Sequence, residues 1–257
     1  MMAKRISVSA ASSEAVASEG LAEVTWKDRQ KKIHVATADK KLLGLDLVEA
    51  LPFRVGVRYP RQRNYQGHYY FAQVEHHVWH ESLLEMRTLR WMDVHEQVDA
   101  VASQPFQILF ADGSVHVPDY FVKLRGHRQL VVDVKPTTLI DDRALEQFRK
   151  TRAVCAHVGW EYEIRSERTP QEDINLEFVA SFKHIAFRPS KESIYRLLEA
   201  VTGPVTVREA AEAFGFQTLA EGRSALYHLV CCRILRLDLD QTLSDESMIE
   251  RTDRVLV

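Results

Sequence analysis

Two neighbouring apolar segments that contain charges constrain the fold of this chain most strongly. They cover residues 115–124 and 129–134, and the turn signal Arg125-Gly126-His127 separates them. Both segments are apolar on both faces, the pattern of strands that are covered on both sides. The charges in or directly after them include Asp119, Asp133 and Lys135. An unpaired buried charge is costly, so these groups need each other, a metal ion or a ligand.

The length of the turn decides whether the charges meet. A three-residue loop pairs Leu124 with Arg128, and Asp119 then falls opposite Asp133, with Lys135 on the same face. A two- or four-residue loop shifts the register by one and turns Asp119 away, unless a bulge intervenes. We adopt the same-face arrangement as the hypothesis.

Two carboxylates beside a lysine predict a particular chemistry. Hard oxygen ligands suit Mg²⁺, with Mn²⁺ as a substitute, rather than zinc. Such an ion polarises a scissile phosphate and activates water, and Lys135 is placed to orient that water. A third carboxylate from the preceding helix, Glu85 or as a weaker candidate Glu81, would complete the site. The pattern therefore indicates metal-dependent phosphodiester hydrolysis.

A plainer interpretation of the same residues stays open. Asp133 and Lys135 would form a solvated pair on an edge strand, and Asp119 would follow Pro118 in a turn. Short Pro-Asp and Asp-x-Lys strings are common by chance. Their context of strand, turn, strand and flanking helix favours the functional interpretation.

The remaining sequence predicts a mixed α/β fold. Expected strands cover residues 24–27, 33–36, 106–110, 115–124, 129–134, 160–164 and 234–239. Expected helices cover residues 42–51, 80–94, 141–157, 192–200, 207–214 and 219–232. The strands from 106 to 134 are expected to form an antiparallel meander with a helix before and after the sheet. This predicts a disordered tail at 1–20, a small β-rich extension at 21–75, an α/β core at 76–187 and a winged-helix-like domain at 188–257.

Residues 53–71 form a basic and tyrosine-rich segment without any acidic residue. Arginine beside tyrosine suits contacts with phosphates and bases, and we expect Arg58, Arg61 and Arg63 to contact DNA phosphates. The alternative is a solvated β-ribbon. The net charge of −2 neither supports nor excludes nucleic acid. The last predicted helix offers only Arg223 and Arg233 as cations, which favours protein docking over base readout.

The bulk sequence also bears on location. Three cysteines fit neither a disulfide framework nor a CxxC metal site, so reduced thiols in the cytoplasm are expected. No long apolar segment is present, which predicts a protein that neither spans a membrane nor has a membrane partner.

These residues resemble a known family. Pro118-Asp119 followed by Asp133-Val134-Lys135 resembles the PD-(D/E)xK nuclease motif. The longer pattern HESLLEMRTLRWMDVHEQVDAVASQPF…VPDYF…VVDVKP resembles TnsA-like endonuclease subunits of heteromeric transposases. The likeness covers residues 53–164 and extends more loosely to the C-terminal part. It implies a restriction-endonuclease-like mixed sheet flanked by helices, with residues 76–187 as the nuclease core.

The resemblance also implies roles. Glu85 corresponds to the family's helix glutamate, Asp119 to its metal-binding aspartate and Lys135 to its lysine, and Gln104 lies in a site-lining element. Asp133 departs from the glutamine of the best-studied TnsA type and matches the general nuclease pattern. Glu85, Asp119 and Asp133 would bind Mg²⁺.

The expected activity is cleavage of transposon 5′ ends. The expected partners are DNA, a TnsB-like transposase and a TnsC-like ATPase regulator, in the cytoplasm and in association with the nucleoid when active. The alternatives are a free-standing restriction or repair nuclease, and a catalytically silent DNA-binding assembly subunit.

Overall fold

The computed structural model of the protein describes residues 22–53 and 65–252. The predicted tail at 1–20 and the predicted DNA contacts Arg58, Arg61 and Arg63 lie outside the described residues. The described chain is a mixed α/β structure with several sheets. It divides into two compact units. The first comprises the described residues up to Leu89 together with Gln97–Glu167, and the second comprises Arg90–Glu96 and the described residues from Arg168 onward.

The strands and helices are numbered in chain order. The strands up to Arg165 are β1 (Glu23–Lys27), β2 (Ile33–Thr37), β3 (Gly67–Phe71), β4 (His76–His80), β5 (Val98–Ser103), β6 (Phe106–Leu109), β7 (Val115–His116), β8 (Tyr120–Leu124), β9 (Arg128–Val134) and β10 (Glu161–Arg165). The α-helices in the same stretch are α1 (Leu83–His95) and α2 (Asp142–Val158). After Arg165 the chain forms α3 (Pro170–Ala180), α4 (Lys191–Ala200), β11 (Val205–Thr206), α5 (Val207–Ala213), α6 (Leu219–Cys231), β12 (Leu235–Leu237) and β13 (Met248–Arg251).

The predicted N-terminal hairpin is confirmed, since β1 and β2 pair antiparallel across the turn between them. The helix predicted at 42–51 is instead two short 3-10 helices, Lys40–Gly44 and Leu47–Glu49. Strand β6 adds to the other side of β1, and β7 adds to β6. This gives a four-stranded sheet in the order β2-β1-β6-β7.

A second four-stranded sheet has the order β10-β9-β8-β5. Strands β9 and β10 are parallel, whereas β8 pairs antiparallel with both β9 and β5. The predicted meander is wrong at its first strand, because β6 lies in the other sheet and the neighbour of β8 is β5. The single strand predicted at 115–124 is also two strands, β7 and β8, in different sheets. Pro118 lies between them and lacks the backbone N–H that a continuous ladder needs.

Helix α2 covers one face of this sheet. Its buried residues include Phe148, Val154, Cys155 and Val158, and they belong to one apolar cluster with Phe121 and Val131 of the sheet and with Trp160. Asp141 caps the start of the helix by accepting a hydrogen bond from the Ala144 backbone N–H. Gly159 ends the helix at φ 98°, a conformation that glycine adopts at little cost.

The second unit has its own core around α3 to α6 and a three-stranded sheet of order β11-β13-β12. Thr206 and Glu209 form a capping box at the start of α5, and Thr218 and Glu221 form another at the start of α6. Helix α3 was not predicted. Within the described residues, no helix is both long and apolar enough to cross a bilayer.

Candidate functional site

The β8–β9 hairpin has the predicted register. Leu124 pairs with Arg128 across the three-residue loop, and the ladder continues to the pair Tyr120 and Val132. Within the loop, Gly126 and His127 have φ angles of 83° and 64°. Continuing this register by one residue sets Asp119 opposite Asp133. The predicted three-residue loop and the register of the hairpin are therefore confirmed, and the ladder ends one residue before Asp119.

Asp119 lies in the link between β7 and β8, and its carboxylate is bound to the end of β9. Its Oδ2 accepts a hydrogen bond from the Val134 N–H at 2.6 Å. Burial raises the pKa of the Asp119 carboxyl well above its ordinary value, and the negative charges of Asp133 and Glu85 raise it further. The charge of Glu81 acts in the same direction. The fold thus brings the predicted acidic residues within electrostatic reach of Asp119.

Glu85 occupies the first turn of α1, where its buried carboxylate accepts two hydrogen bonds. The donors are the Glu81 N–H and the Ser82 hydroxyl, each at 2.8 Å. Ser82 Oγ in turn accepts a bond from the Glu85 N–H at 3.2 Å. Burial raises the pKa of Glu85 above its ordinary value, although the two donors oppose this. Glu85 therefore stabilises the start of α1 and also adds negative charge beside Asp119.

Tyr120 is the first residue of β8, directly after Asp119, and it contacts β4. Its ring is fully buried, and its hydroxyl donates to the Trp79 carbonyl oxygen at 3.3 Å. Burial and the nearby negative charges of Glu85 and Asp119 raise the pKa of the Tyr120 hydroxyl well above its ordinary value. Tyr120 is consequently a neutral hydrogen-bond donor in the wall of the acidic cluster.

Lys135 follows β9 two residues after Asp133, and its backbone is fixed by the chain that follows β10. Its N–H donates to the Arg165 carbonyl oxygen at 2.9 Å, and its carbonyl oxygen accepts from the Ser166 hydroxyl at 2.7 Å. Among the residues that the structure describes, none forms a hydrogen bond or ion pair with the Lys135 ammonium. Its main chain is therefore held while its charged end has no partner within that part of the chain.

Asp133 is the most enclosed of the predicted acids, at 3% exposure. His116 Nε2 lies 2.9 Å from both carboxylate oxygens, and the Tyr162 hydroxyl donates to Oδ2 at 2.5 Å. Gln147 of α2 extends this series of hydrogen bonds, since its Nε2 lies 2.8 Å from His116 Nδ1. Buried polar groups of this kind stabilise a fold only when their partners are present, and here three elements supply them.

The contacts of Asp133 with His116 and Tyr162, and of His116 with Gln147, were not predicted from the sequence. His116 gave a signal, because an imidazole in the apolar stretch 115–124 is as unusual as the carboxylate two strands away. Gln147 and Tyr162 gave none. Each is an ordinary residue for its helix or strand, and only the packing of α2 and β10 against β9 brings it to the acid.

Gln104 adjoins Asp119 through the backbone. Its N–H donates to the Asp119 carbonyl oxygen at 2.9 Å, and its own carbonyl accepts from the Phe53 N–H at 2.7 Å. The residue has φ 48°, which is uncommon for a side chain other than glycine, asparagine or aspartate. Its side chain is buried, and Oε1 has no hydrogen-bond partner among the described residues. The predicted position of Gln104 next to the site is thus consistent with its backbone contacts.

The geometry of the acidic side chains is not that of a preformed metal cage. In residues 22–53 and 65–252, no group of three His, Cys, Asp or Glu side chains is arranged to hold a metal ion. The donor set nevertheless has the chemistry that a hard cation requires, because Asp119, Glu85 and Glu81 offer carboxylate oxygens. The like charges raise the pKa of Asp119, and a divalent cation would relieve that repulsion.

Comparison with other proteins adds no assignment. No protein-family model matches the chain, and no curated protein matches it. The functional argument therefore depends on the residues and their geometry.

Proposed function

We propose that this protein is a metal-dependent endodeoxyribonuclease, with Asp119 at the centre of its active site. The observation that carries the proposal is the position of Asp119. Its carboxylate is anchored at the end of two paired strands, and burial together with three further acidic residues raises its pKa. Clusters of titratable groups with strongly perturbed pKa values are typical of functional sites. A metal-dependent hydrolase of phosphodiester bonds needs such a cluster to hold Mg²⁺ or Mn²⁺.

The proposed roles follow from the environment of each side chain. Asp119 and Glu85 provide carboxylate oxygens for the cation, with Glu81 at the edge of the cluster. Asp133 remains the predicted third ligand from the sequence pattern, although its oxygens already accept hydrogen bonds from two side chains. The Lys135 ammonium is available to orient water or to compensate the charge of a phosphate. A bound cation would supply Lewis acidity at the scissile phosphate.

The more specific part of the proposal is a TnsA-like role in transposition. The protein would cut the 5′ ends of a transposon, together with a TnsB-like transposase and under a TnsC-like ATPase regulator. The support is the sequence motif, with Glu85, Asp119 and Lys135 at the family's positions and within the same compact unit. The finer fold that this implies is a restriction-endonuclease-like core. The protein would act in the cytoplasm, in association with the nucleoid.

The second unit supports docking to a protein better than base readout. We propose a winged-helix-like arrangement for it, on the basis of three helices and a small antiparallel sheet. Two arginines of this segment have intramolecular contacts, Arg223 within α6 and Arg233 two residues after its end. Arg223 pairs with Asp245, and Arg233 donates to the Glu96 carbonyl oxygen. Base recognition instead requires several free donors on one helix face.

The experiment that tests this function is strand-specific mapping of nicks on a plasmid that carries the element's ends. It compares wild type with Asp119→Ala and Lys135→Ala, in Mg²⁺, with and without the candidate transposase. Exposed positions provide the matched controls Asp99→Ala and Lys41→Ala. Loss of general acid–base or charge-stabilising groups lowers cleavage by about 100-fold or more.

Each pattern of nicks has a defined meaning. Nicks at the 5′ ends that require the partner and disappear in both site variants support the transposition proposal. Nicks that do not need the partner but disappear in the variants favour a free-standing nuclease. An inactive wild type that still assembles with its partners on DNA favours the silent subunit. Cleavage that survives both substitutions contradicts the proposed active site.

A further inference from the structure

The segment that carries Asp119 is held to β9 by two neighbouring side-chain contacts. Strand β7 ends at His116 and β8 begins at Tyr120, so the residues between them belong to neither ladder. His116 binds the Asp133 carboxylate, and the Asp119 carboxylate binds the Val134 N–H. Both contacts reach consecutive residues of the same strand. The stretch between the two ladders is therefore linked to β9 near each of its ends, and the backbone bond from the Gln104 N–H to the Asp119 carbonyl oxygen also holds Asp119.

The protonation of His116 follows from its second neighbour. Gln147 Nε2 lies 2.8 Å from His116 Nδ1, and an amide nitrogen acts only as a donor. Nδ1 is then the acceptor, so the ring proton of the neutral imidazole lies on Nε2, which faces Asp133. Helix α2 thus fixes the tautomer that the contact with Asp133 requires.

The hydrogen bonds of Asp133 leave it little capacity for a cation. A carboxylate has roughly four acceptor positions, and three contacts reach those of Asp133, from His116 at both oxygens and from Tyr162 at Oδ2. The residue is 3% exposed. A metal ion bound there would have to displace donors that come from β7 and β10.

We infer that His116 is a positioning residue of the candidate site, which acts by fixing the Asp119 segment on β9 through its contact with Asp133. In this assignment Asp133 serves the site through His116 and does not bind the cation. Asp119 remains the group that meets the metal, and the contact sets where its carboxylate lies. The inference rests on the proposed nuclease function for its catalytic consequence, but the positioning itself is a property of the metal-free protein.

Two substitutions at His116 separate its hydrogen bond from its bulk. His116→Gln keeps a donor near the position of Nε2, whereas His116→Ala removes it. Asp133→Asn keeps an acceptor for His116 and Tyr162 but removes the negative charge that a metal ligand needs. Asp99→Asn, at an exposed position in the same unit, is the control for the acid-to-amide change.

The first measurement is hydrogen exchange at the Val134 amide in the absence of metal, because this N–H donates to Asp119. We expect faster exchange in His116→Ala and near wild-type exchange in His116→Gln and Asp133→Asn. Unchanged exchange in His116→Ala would overturn the inference. This result does not depend on cleavage, so it stands even if the wild-type protein proves inactive and the proposed function fails.

The second measurement is the rate of cleavage as a function of Mg²⁺ concentration. His116→Ala should lower kcat by about 10- to 100-fold, the usual effect of losing a group that orients an active-site residue, and His116→Gln should restore part of it. Asp133→Asn should keep the wild-type half-saturating Mg²⁺ concentration. A strong increase of that concentration in Asp133→Asn alone would show that Asp133 is a metal ligand and would refute the assignment.

Discussion

Asp119 combines burial, a backbone hydrogen bond and like-charged neighbours. Burial and the charges of Asp133 and Glu85 favour its protonated form, while the Val134 N–H favours the ionised form. An isolated acid in this position would reduce stability at neutral pH, so its presence is better explained by function than by folding. Glu85 differs, because its hydrogen bonds at the start of α1 also give it a structural role.

The raised pKa of Asp119 predicts a pH dependence of stability. In the folded protein the Asp119 carboxyl keeps its proton at pH values above its ordinary pKa of 3.8. In that pH range the folded state therefore binds more protons than the unfolded state. The contribution of this group to stability is therefore complete below that pH and is lost as pH rises through the folded-state pKa. Asp119→Asn, which keeps an acceptor for Val134, avoids this loss.

Thermal unfolding at a series of pH values measures the effect. Without metal, Asp119→Asn should melt above wild type at neutral pH by about 2–4 °C, which corresponds to roughly 1 kcal/mol for a chain of this size. The difference should shrink towards pH 3.8. The exposed control Asp99→Asn should follow wild type. If Asp119→Asn melts below wild type by the same amount at neutral and at acidic pH, the assigned environment of Asp119 is contradicted.

Helices α5 and α6 approach each other most closely at small residues. A Cβ placed on Gly222 of α6 would lie 2.3 Å from the Ala211 carbonyl oxygen of α5, a distance that no real contact allows. The absent side chain at Gly222 is thus what permits this helix pair, even though glycine lowers the intrinsic stability of a helix. The close contact sets the packing of the second unit's core.

Gly222→Ala should therefore destabilise the protein. The clash opposes the gain in helix propensity, and overpacking of this kind costs about 1–3 kcal/mol. Gly203→Ala is the matched control, since a Cβ at Gly203 would meet nothing within 4 Å. Denaturant unfolding of both variants measures the difference. Equal stability of the two would show that α5 and α6 do not pack as closely as described.

The strands and helices differ in how far the local sequence predicts them. The β8–β9 register was predictable, because a three-residue loop and the alternation of side chains fix it locally. The partner of β8 was not, since the choice of β5 over β6 depends on pairing between distant segments. Helix α3 did have a local signal, Thr169 as its N-cap and Pro170 in the first turn, which the sequence analysis did not use.

At the scale of the whole chain, the two units have separate cores and separate proposed tasks. The acidic cluster, Lys135 and His116 all lie in the first unit. The candidate acids were predictable because each is anomalous in an apolar strand or follows a recognisable motif. His116, Gln147 and Tyr162 could not be assembled from sequence, because their meeting at Asp133 depends on how α2 and β10 pack on β9.

Because the two units have separate proposed tasks, a substitution that disrupts the second unit should leave Mg²⁺ binding by the first unit intact. Asp245 binds both Arg208 and Arg223 and so joins the starts of α5 and α6 to the loop before β13. Asp245→Ala should lower binding of the candidate transposase while Mg²⁺ binding by the first unit is retained. Pull-down with the partner and Mg²⁺ titration measure the two effects, and loss of Mg²⁺ binding with intact partner binding would contradict the division.

The central claim is that the carboxylates around Asp119 form a divalent-cation site, and Mn²⁺ binding followed by electron paramagnetic resonance tests it most directly. The full chain would be titrated in the presence of a short DNA duplex, which supplies phosphate oxygens, and compared with Asp119→Asn and the control Asp99→Asn. We expect wild type and the control to bind Mn²⁺, and we expect Asp119→Asn to lose this binding. Binding that is absent from wild type, or unchanged in Asp119→Asn, would contradict it.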